Sequence, residues 1–350
     1  MVLIVNLGEK MKKILHVILI SLFSLTVISC AKESDKSSTT TSDDTTTTET
    51  TTTETTTTTE TTTTSSGLFI AVGASGTLLT SSDGTTWISR TDANVTSNYL
   101  RAVAYDGSST LVAVGYSGTI LTSSDGTTWT SRTSGTSSDL NNVSYNSGGT
   151  FGAVGDNGTV LTSPDGITWT DKTSSCGMTE NLWSVSSNST VAVAVGDNGS
   201  IYTSADAGDN CTKRTSGTTV EFNELLFGNS TFFALGNLGT ILTSSDNGTS
   251  WDNRTSGTTN HLYGGIYSEK NAMVGASGTV VYTEDNGTSW TSWSASSMTT
   301  DVFGIAYGSS TWVFVGRSGT IYTAGNDDDD VTARTSGTTE SLRRVYYLGE

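Results

Sequence analysis

The sequence of 350 residues contains little proline, histidine, cysteine or charge. It has 1 Pro, 2 His and 3 Cys, and only 15% of its residues are charged. Two histidines, His16 and His261, are too few for a histidine metal cluster or a histidine-dependent catalytic triad. Three cysteines are too few for a disulfide-rich scaffold or a four-cysteine zinc site. These shortages exclude several common classes of metalloprotein and hydrolase.

Basic residues are also scarce, since Lys and Arg total 17 against 34 Asp and Glu, a formal net charge of −17. The chain therefore lacks the basic surface that nucleic acids require. The acidic run 326–330 lacks the alternating ligands and the glycine of a calcium loop, so we interpret it as a solvated acidic loop. No residue pattern indicates a metal or a cofactor, and we expect neither.

Glycine, serine and threonine take the place of the missing charge. With 38 Gly and many Ser and Thr, the composition favours short strands joined by tight turns rather than helices. We therefore expect an all-β fold.

Residues 1–30 have the features of an export signal. Met11, a second candidate start, is followed by two lysines and a mostly apolar run over 14–29, which is short for a membrane span. The run ends at Cys30 in a pattern that resembles the lipobox of bacterial lipoproteins, which implies lipidation of Cys30. An uncleaved anchor helix with an accidental cysteine is the alternative.

Residues 31–66 form a threonine-rich segment. Between Thr39 and Thr64, 20 of 26 residues are Thr, and none is aromatic or aliphatic. Such a segment cannot form a core, and we expect a disordered tether.

Residues 67–350 contain an internal repeat. The marker G-x-x-G-[TS] occurs seven times, at intervals of 39 to 42 residues. Each repeat reads as four short antiparallel strands, which is the pattern of a β-propeller blade. The last strand, from Leu342, matches strand one of the repeat, whereas the first repeat begins at strand two. We therefore predict a seven-bladed propeller whose ring is closed by the C-terminal strand.

The third turn of most repeats contains an aspartate, a glycine and usually a tryptophan. Ser244 to Trp251 reads SSDNGTSW, and the other turns keep shorter or altered versions. We expect the aspartates to be structural, because an Asp side chain accepts backbone N–H bonds within such a turn. They are Asp83, Asp125, Asp165, Asp206, Asp246 and Asp285.

These turns resemble the Asp-box of sialidase-like (BNR) propellers, and the repeats are also similar to the propeller family of photosystem II stability and assembly factors. The sialidase resemblance would imply an arginine triad, a Tyr with a Glu, and an acidic Asp. The repeated outer-strand arginines occupy equivalent positions on successive blades and should not converge. We therefore expect no enzymatic activity, with a sialidase-like or other sugar-active hydrolase as the alternative.

Positions that vary between repeats indicate where a partner could bind. The start of strand one and the tip of the next hairpin vary most, and both should lie near the mouth of the central channel. Aromatic and arginine side chains are favoured as binding anchors. The candidates are Arg101, Tyr116, Trp183, Glu224, Tyr263, Phe303, Arg317, Arg343 and Arg344. The alternative is that some of them only pack between blades.

Cys176 and Cys211 are the two cysteines of the predicted propeller. The predicted topology puts them on opposite faces, separated by the length of a strand, up to ~20 Å. A disulfide needs Cα atoms within about 7 Å, so this separation disfavours a bond between them.

Together these features predict a monomeric, membrane-anchored lipoprotein of the bacterial cell envelope. We expect it in the outer membrane, facing the periplasm or the outside. Its propeller would be a non-catalytic binding or assembly scaffold for a protein or glycan partner. By analogy with the photosystem family, an assembly factor for a membrane protein complex is a further alternative.

Overall fold

The predicted seven-bladed propeller is confirmed by a computed structural model, which describes residues 67–267, 271–293, 297–325 and 331–349. The predicted signal, the lipidated Cys30, the tether and the acidic run 326–330 lie outside the described residues. Within the described part, no helix is long and apolar enough to cross a membrane.

Blade 1 joins the two ends of the described chain. Its strands, from the channel outward, are β28 (Leu342–Leu348), β1 (Leu68–Gly73), β2 (Leu78–Ser81) and β3 (Ile88–Ser89). β28 pairs antiparallel with β1, with Tyr347 opposite Phe69 and Val345 opposite Ala71. The C-terminal strand therefore closes the ring as predicted.

The other six blades each use four consecutive antiparallel strands in the same inner-to-outer order. Blade 2 has β4 (Leu100–Tyr105), β5 (Leu111–Gly115), β6 (Thr119–Ser123) and β7 (Thr130–Arg132). Blade 3 has β8 (Leu140–Asn146), β9 (Thr150–Gly155), β10 (Val160–Ser163) and β11 (Thr170–Asp171). Blade 4 has β12 (Leu182–Ser187), β13 (Ala192–Gly196), β14 (Ile201–Ser204) and β15 (Thr212–Arg214).

The strands of blades 5 to 7 complete the ring. Blade 5 has β16 (Phe222–Gly228), β17 (Thr231–Gly236), β18 (Ile241–Ser244) and β19 (Asp252–Arg254). Blade 6 has β20 (Leu262–Ile266), β21 (Asn271–Gly275), β22 (Val280–Thr283) and β23 (Thr291–Ser292). Blade 7 has β24 (Val302–Gly308), β25 (Thr311–Gly316), β26 (Ile321–Ala324) and β27 (Thr332–Arg334).

The core lies between the blades. Seven apolar clusters occur in the described residues, and each contains side chains from two neighbouring blades. In the cluster between blades 2 and 3, for example, Val112 and Ile120 meet Phe151 and Leu161. Each blade therefore buries apolar side chains against both of its neighbours, which makes a closed ring more stable than an open one.

The repeated glycine marker forms the hairpin between the second and third strands. In blade 2, a Cβ at Gly115 would lie 2.0 Å from the Tyr99 carbonyl oxygen, so only glycine fits there. Gly118 has a φ of +67°, in the left-handed region that glycine adopts without strain. In six blades this hairpin contains a short 3₁₀ turn: Ala74–Gly76, Asp156–Gly158, Asp197–Gly199, Asn237–Gly239, Ala276–Gly278 and Arg317–Gly319.

The third turn is held by its aspartate. In blade 2, Asp125 Oδ1 accepts the N–H groups of Thr127 and Thr128, both at 2.8 Å, and Trp129 Nε1 donates to the Gly126 carbonyl. Equivalent carboxylate bonds to backbone N–H or turn hydroxyl groups occur at Asp83, Asp165, Asp206, Asp246 and Asp285. Within the described residues none of these six carboxylates forms an ion pair, so the hydrogen bonds themselves order the turn.

The position predicted for the two cysteines is wrong. Cys176 and Cys211 form a disulfide, with a Cα–Cα distance of 4.8 Å. The separation was overestimated because the outer strands are only two or three residues long. A single helical turn, α1 (Thr173–Cys176), then returns the chain toward blade 4.

Candidate functional site

One face of the propeller carries the hairpins between second and third strands together with the links between blades; we call it the mouth face. The aspartate turns lie on the opposite face, the turn face. In blade 2, for example, the hairpin residue Tyr116 donates its N–H to the carbonyl of Tyr99, just before inner strand β4. Every inner strand therefore begins at the mouth face and runs toward the turn face.

A one-residue β-bulge occurs at the second position of all seven inner strands. In blade 2, Leu100 pairs with Gly115 and Ala102 with Val114, which leaves Arg101 outside the regular ladder. A bulge redirects the extra side chain, here at the entrance of the channel. We call these bulged residues the mouth ring: Arg101, Asn141, Trp183, Asn223, Tyr263, Phe303 and Arg343.

Arg101 lies in an aromatic environment. Its guanidinium carbon is 4.9 Å from the centre of the Trp183 ring, which belongs to blade 4, and Nη1 donates to the Tyr116 hydroxyl at 3.1 Å. The same guanidinium carbon lies 5.8 Å from the centre of the Tyr99 ring. Tyr99 was not among the candidates predicted from the sequence. The Nε of Arg101 is buried and has no hydrogen-bond partner among the described residues.

Arg343 belongs to the same group. Its guanidinium carbon lies 5.5 Å from the centre of the Phe303 ring, and Phe303 packs edge-to-face against Tyr263 at 5.3 Å. Burial, and next the positive charges of Arg101 and Arg344, lower the pKa of Arg343. A guanidinium remains protonated in proteins, so Arg343 keeps its charge although burial and the neighbouring positive charges disfavour it.

An ion pair crosses the channel one position below the mouth ring. Arg344 of blade 1 donates from Nη2 to Oε2 of Glu224 in blade 5, and Ser184 donates to Oε1 at 3.2 Å. The side chains are 14% and 5% exposed. Gly264 and Gly304, the equivalent residues of blades 6 and 7, lack the side chains that would occupy this space, and Arg344 passes beside both.

We define the arginine cluster as Arg101, Arg343 and Arg344. Among the described residues its one ion pair is that of Arg344 with the buried carboxylate of Glu224. Three further buried polar atoms on the mouth face lack partners within the described part of the chain: Asn141 Oδ1, Ser200 Oγ and His261 Nδ1. His261 was not among the candidates predicted from the sequence. Its ring stacks on that of Tyr263, with 6.1 Å between the ring centres. Unsatisfied buried polar groups are rare in folded proteins, and with Arg101 Nε four of those in the described residues lie on the mouth face.

Arg317 stands apart from this group. Its side chain is 60% exposed on the hairpin tip of blade 7, and Nε donates to Asp301 Oδ2 at 3.0 Å. The structure therefore brings eight of the nine candidates to the mouth and the layer below it, and places Arg317 at the rim.

The outer-strand arginines do not converge. In five blades the arginine Nε donates to a threonine hydroxyl of its own blade; the arginines are Arg90, Arg132, Arg214, Arg254 and Arg334. These arginines are half-buried rather than fully solvated. Among the described residues there is also no group of three or more potential metal ligands.

Comparison with known proteins gives a structural likeness. No family model and no curated protein matches the chain. Among solved structures, YCF48 bound to D1 peptide is similar, with a TM-score of 0.53 and 18% identity over 70% of this chain and 82% of that chain. YCF48 from Cyanidioschyzon merolae is similar with a TM-score of 0.52 and 16% identity, over 70% of this chain and 85% of that chain. At these identities the likeness shows the propeller fold.

Proposed function

We propose that the propeller is a non-catalytic scaffold that holds a protein partner at its mouth face by an acidic segment of that partner. The arginine cluster carries this proposal, because Glu224 pairs with Arg344 alone and the described residues offer no carboxylate in contact with Arg101 or Arg343. A carboxylate of the partner at the mouth would supply the negative charge that the cluster lacks, and charge-assisted bonds to arginine are strong.

The aromatic residues of the mouth ring add a second element of recognition. Trp183, Tyr263 and Phe303 are half-buried and flank the two mouth-ring arginines. Aromatic and arginine side chains are the common anchors of protein interfaces. Apolar side chains beside the partner's carboxylate would pack on these rings.

A non-catalytic role agrees with the arrangement of charges. A glycosidase needs two carboxyl groups facing one bond, but Glu224 is held by Arg344 and Ser184. One YCF48 structure has a peptide bound, which supports a peptide partner here. The resemblance to photosystem II assembly factors extends the proposal to the assembly of a membrane protein complex.

The anchor is part of the same proposal. Lipidation of Cys30 would hold the propeller in the bacterial outer membrane, and residues 31–66 would separate it from the lipid surface. Cys30→Ser should release the protein from membranes in a fractionation experiment. Retention of the variant in the membrane fraction would contradict lipid anchoring.

Binding can be measured by fluorescence anisotropy with labelled peptides. A peptide rich in Asp, Glu and aromatic residues should bind, and its Asn and Gln counterpart should bind at least tenfold more weakly. Arg101→Gln and Arg343→Gln should each weaken binding of the acidic peptide. Arg334→Gln removes the same charge from an outer strand and is the matched control.

Two results would contradict the proposal. If the acidic and neutral peptides bind alike, or if Arg334→Gln weakens binding as much as Arg343→Gln, the arginine cluster is not the recognition site. Binding of an uncharged glycan at Tyr263 and Trp183, unaffected by Arg343→Gln, would favour the glycan partner instead.

A further inference from the structure

A cavity lies in the central channel, on the turn-face side of the Arg344–Glu224 ion pair. It has a volume of ≈ 410 Å³ and is lined by inner-strand residues from the third position onward, such as Asn142, and by residues near the ends of these strands, such as Tyr307. Because the inner strands run from the mouth face to the turn face, this channel cavity extends from the ion pair toward the turn face. A volume of this size is typical of small-molecule sites.

Polar groups line the channel cavity on the side of blades 3 and 4. They are Asn142, which is 6% exposed, and the hydroxyl-bearing residues Ser144 and Ser186. Asn142 Oδ1 faces the Val185 N–H at 3.5 Å, which leaves the amide NH₂ group of Asn142 for the cavity. A buried amide donor that faces open space is suited to an acceptor from a ligand.

The inner end of the cavity is rich in hydrogen-bond donors. Both oxygens of Glu224 already accept bonds, from Arg344 and from Ser184. Arg344 has five N–H donors and no acceptor, and Asn142 adds its NH₂ group. Arg343, the neighbour of Arg344 in the chain, adds a second positive charge within electrostatic reach of Glu224, so the net charge at this end of the cavity is positive and favours an anion.

Apolar side chains line the rest of the cavity wall. Leu225, Ile266, Ile305 and Val345 line it, and aromatic rings stand at its far end. These rings belong to Phe227, Tyr267, Tyr307 and Tyr347. The cavity thus offers donors at one end and an apolar wall along its length, which matches an amphipathic molecule.

We propose that the channel cavity is a binding site for a small organic carboxylic acid with an apolar tail. The carboxylate would accept hydrogen bonds from Asn142 and Arg344, and the tail would lie on the apolar wall. This site is separate from the mouth ring, and the proposal does not depend on the partner proposed there.

Isothermal titration calorimetry of the propeller with octanoate tests this site, with octan-1-ol as the uncharged probe of equal length. Octanoate should bind with one-to-one stoichiometry and at least tenfold more tightly than octan-1-ol. Ser186→Phe, which fills the cavity, should lower octanoate affinity at least tenfold. Asn142→Leu, which removes the amide donor, should lower it about fivefold.

Two controls complete the design. Ser131→Phe adds the same ring at an exposed position of outer strand β7 and should leave octanoate affinity unchanged. Ser186→Phe should also leave binding of the acidic peptide at the mouth unchanged. If the Phe variant does not fold, Ser144→Val makes a smaller change on the same wall and should weaken octanoate binding.

The proposal is overturned if octanoate gives no saturable heat with the wild-type protein. It is also overturned if Ser186→Phe or Ser144→Val, correctly folded by circular dichroism, binds octanoate as the wild-type protein does. Equal affinities for octanoate and octan-1-ol would show an apolar site without carboxylate recognition and would contradict it as well.

Discussion

Glu224 is the residue on which the charge balance of the mouth depends. It is 5% exposed and supplies the counter-charge of Arg344, while Arg343 and Arg101 add two more positive charges nearby. Removing one member of a buried ion pair leaves the other charge uncompensated, which is usually more costly than removing both.

We therefore expect Glu224→Gln to lower the free energy of unfolding by about 3 kcal/mol, the lower end of the usual range because Arg344 is 14% exposed. The double variant Glu224→Gln with Arg344→Gln should recover most of this loss, because it leaves two neutral amides. Urea denaturation measures both. A double variant less stable than Glu224→Gln would contradict this account of the pair.

The turn aspartates predict a dependence of stability on pH. Hydrogen bonds from the Ser250 hydroxyl and backbone N–H lower the pKa of Asp246 to about 2. Since its pKa is lower in the folded protein than the ~4 of an unfolded chain, its contribution is present above pH 4 and is lost as the pH falls toward 2.

Asp246→Asn should accordingly lower the free energy of unfolding at pH 7 by about 0.5–1 kcal/mol, a small value because the turn is exposed. The difference from the wild-type protein should shrink below pH 4 and be nearly absent at pH 2. Thermal melts over this range test it, with Asp252→Asn as an exposed control on the next strand. A difference that stays constant down to pH 2 would show that the carboxylate charge is not what stabilises the turn.

At the scale of elements, the interface between blades 3 and 4 differs from its counterparts. Cys211 occupies the position of the turn tryptophan of other blades, such as Trp251, and Gly152 stands where β5 and β13 have Val112 and Val193. An apolar cavity of ≈ 60 Å³ lies beside these two residues. The Cys176–Cys211 disulfide and the Lys172–Asp209 ion pair join the two blades there.

Filling the cavity should stabilise this interface. A Cβ at Gly152 would meet no atom within 4 Å, and its backbone is not left-handed. Gly152→Val should raise the free energy of unfolding by about 1 kcal/mol through added packing and a less flexible unfolded chain. Gly135→Val, at an exposed position with a φ of +80°, should instead destabilise the protein. A lower melting temperature for Gly152→Val would show that the strand has no room for a side chain.

The disulfide should stabilise the same interface. Its cysteines are 35 residues apart. A disulfide that closes a loop of this length restricts the unfolded chain and so raises the free energy of unfolding by about 4 kcal/mol. Cys176→Ser with Cys211→Ser should lower the free energy of unfolding by about that amount under oxidising conditions. Cys176→Ala with Cys211→Trp, which restores the tryptophan of other blades, should be more stable than the double serine variant. Equal stabilities of the two would show that a tryptophan cannot replace the link.

For the whole molecule, the sequence predicted the architecture because the architecture is periodic. The seven glycine markers fix seven hairpins, and the match between Leu342 and strand one predicted the closure that β28 and β1 make. Features that break the repeat were harder to predict. The bulge adds one residue without disturbing the apolar pattern, and the Glu224–Arg344 pair joins residues 120 positions apart.

The disulfide is another feature that the repeat could not predict. Its prediction depended on strand lengths and on one short helix, and neither follows from the repeat alone. The candidate residues of the mouth were identified because they vary where the scaffold does not. Tyr99 and His261 were missed, although they precede the inner strand by one position and vary in the same way.

Photo-crosslinking in cells that produce the protein tests directly whether a protein partner binds at the mouth face. A benzoylphenylalanine at Tyr263 places the probe on the mouth face, and one at Ile167, which is 47% exposed, places it on the turn face. We expect a crosslinked protein partner from position 263, strongly reduced when Arg343→Gln is added, and none of that species from position 167. A partner captured from position 167 alone, or a product at position 263 that Arg343→Gln leaves unchanged, would contradict this expectation.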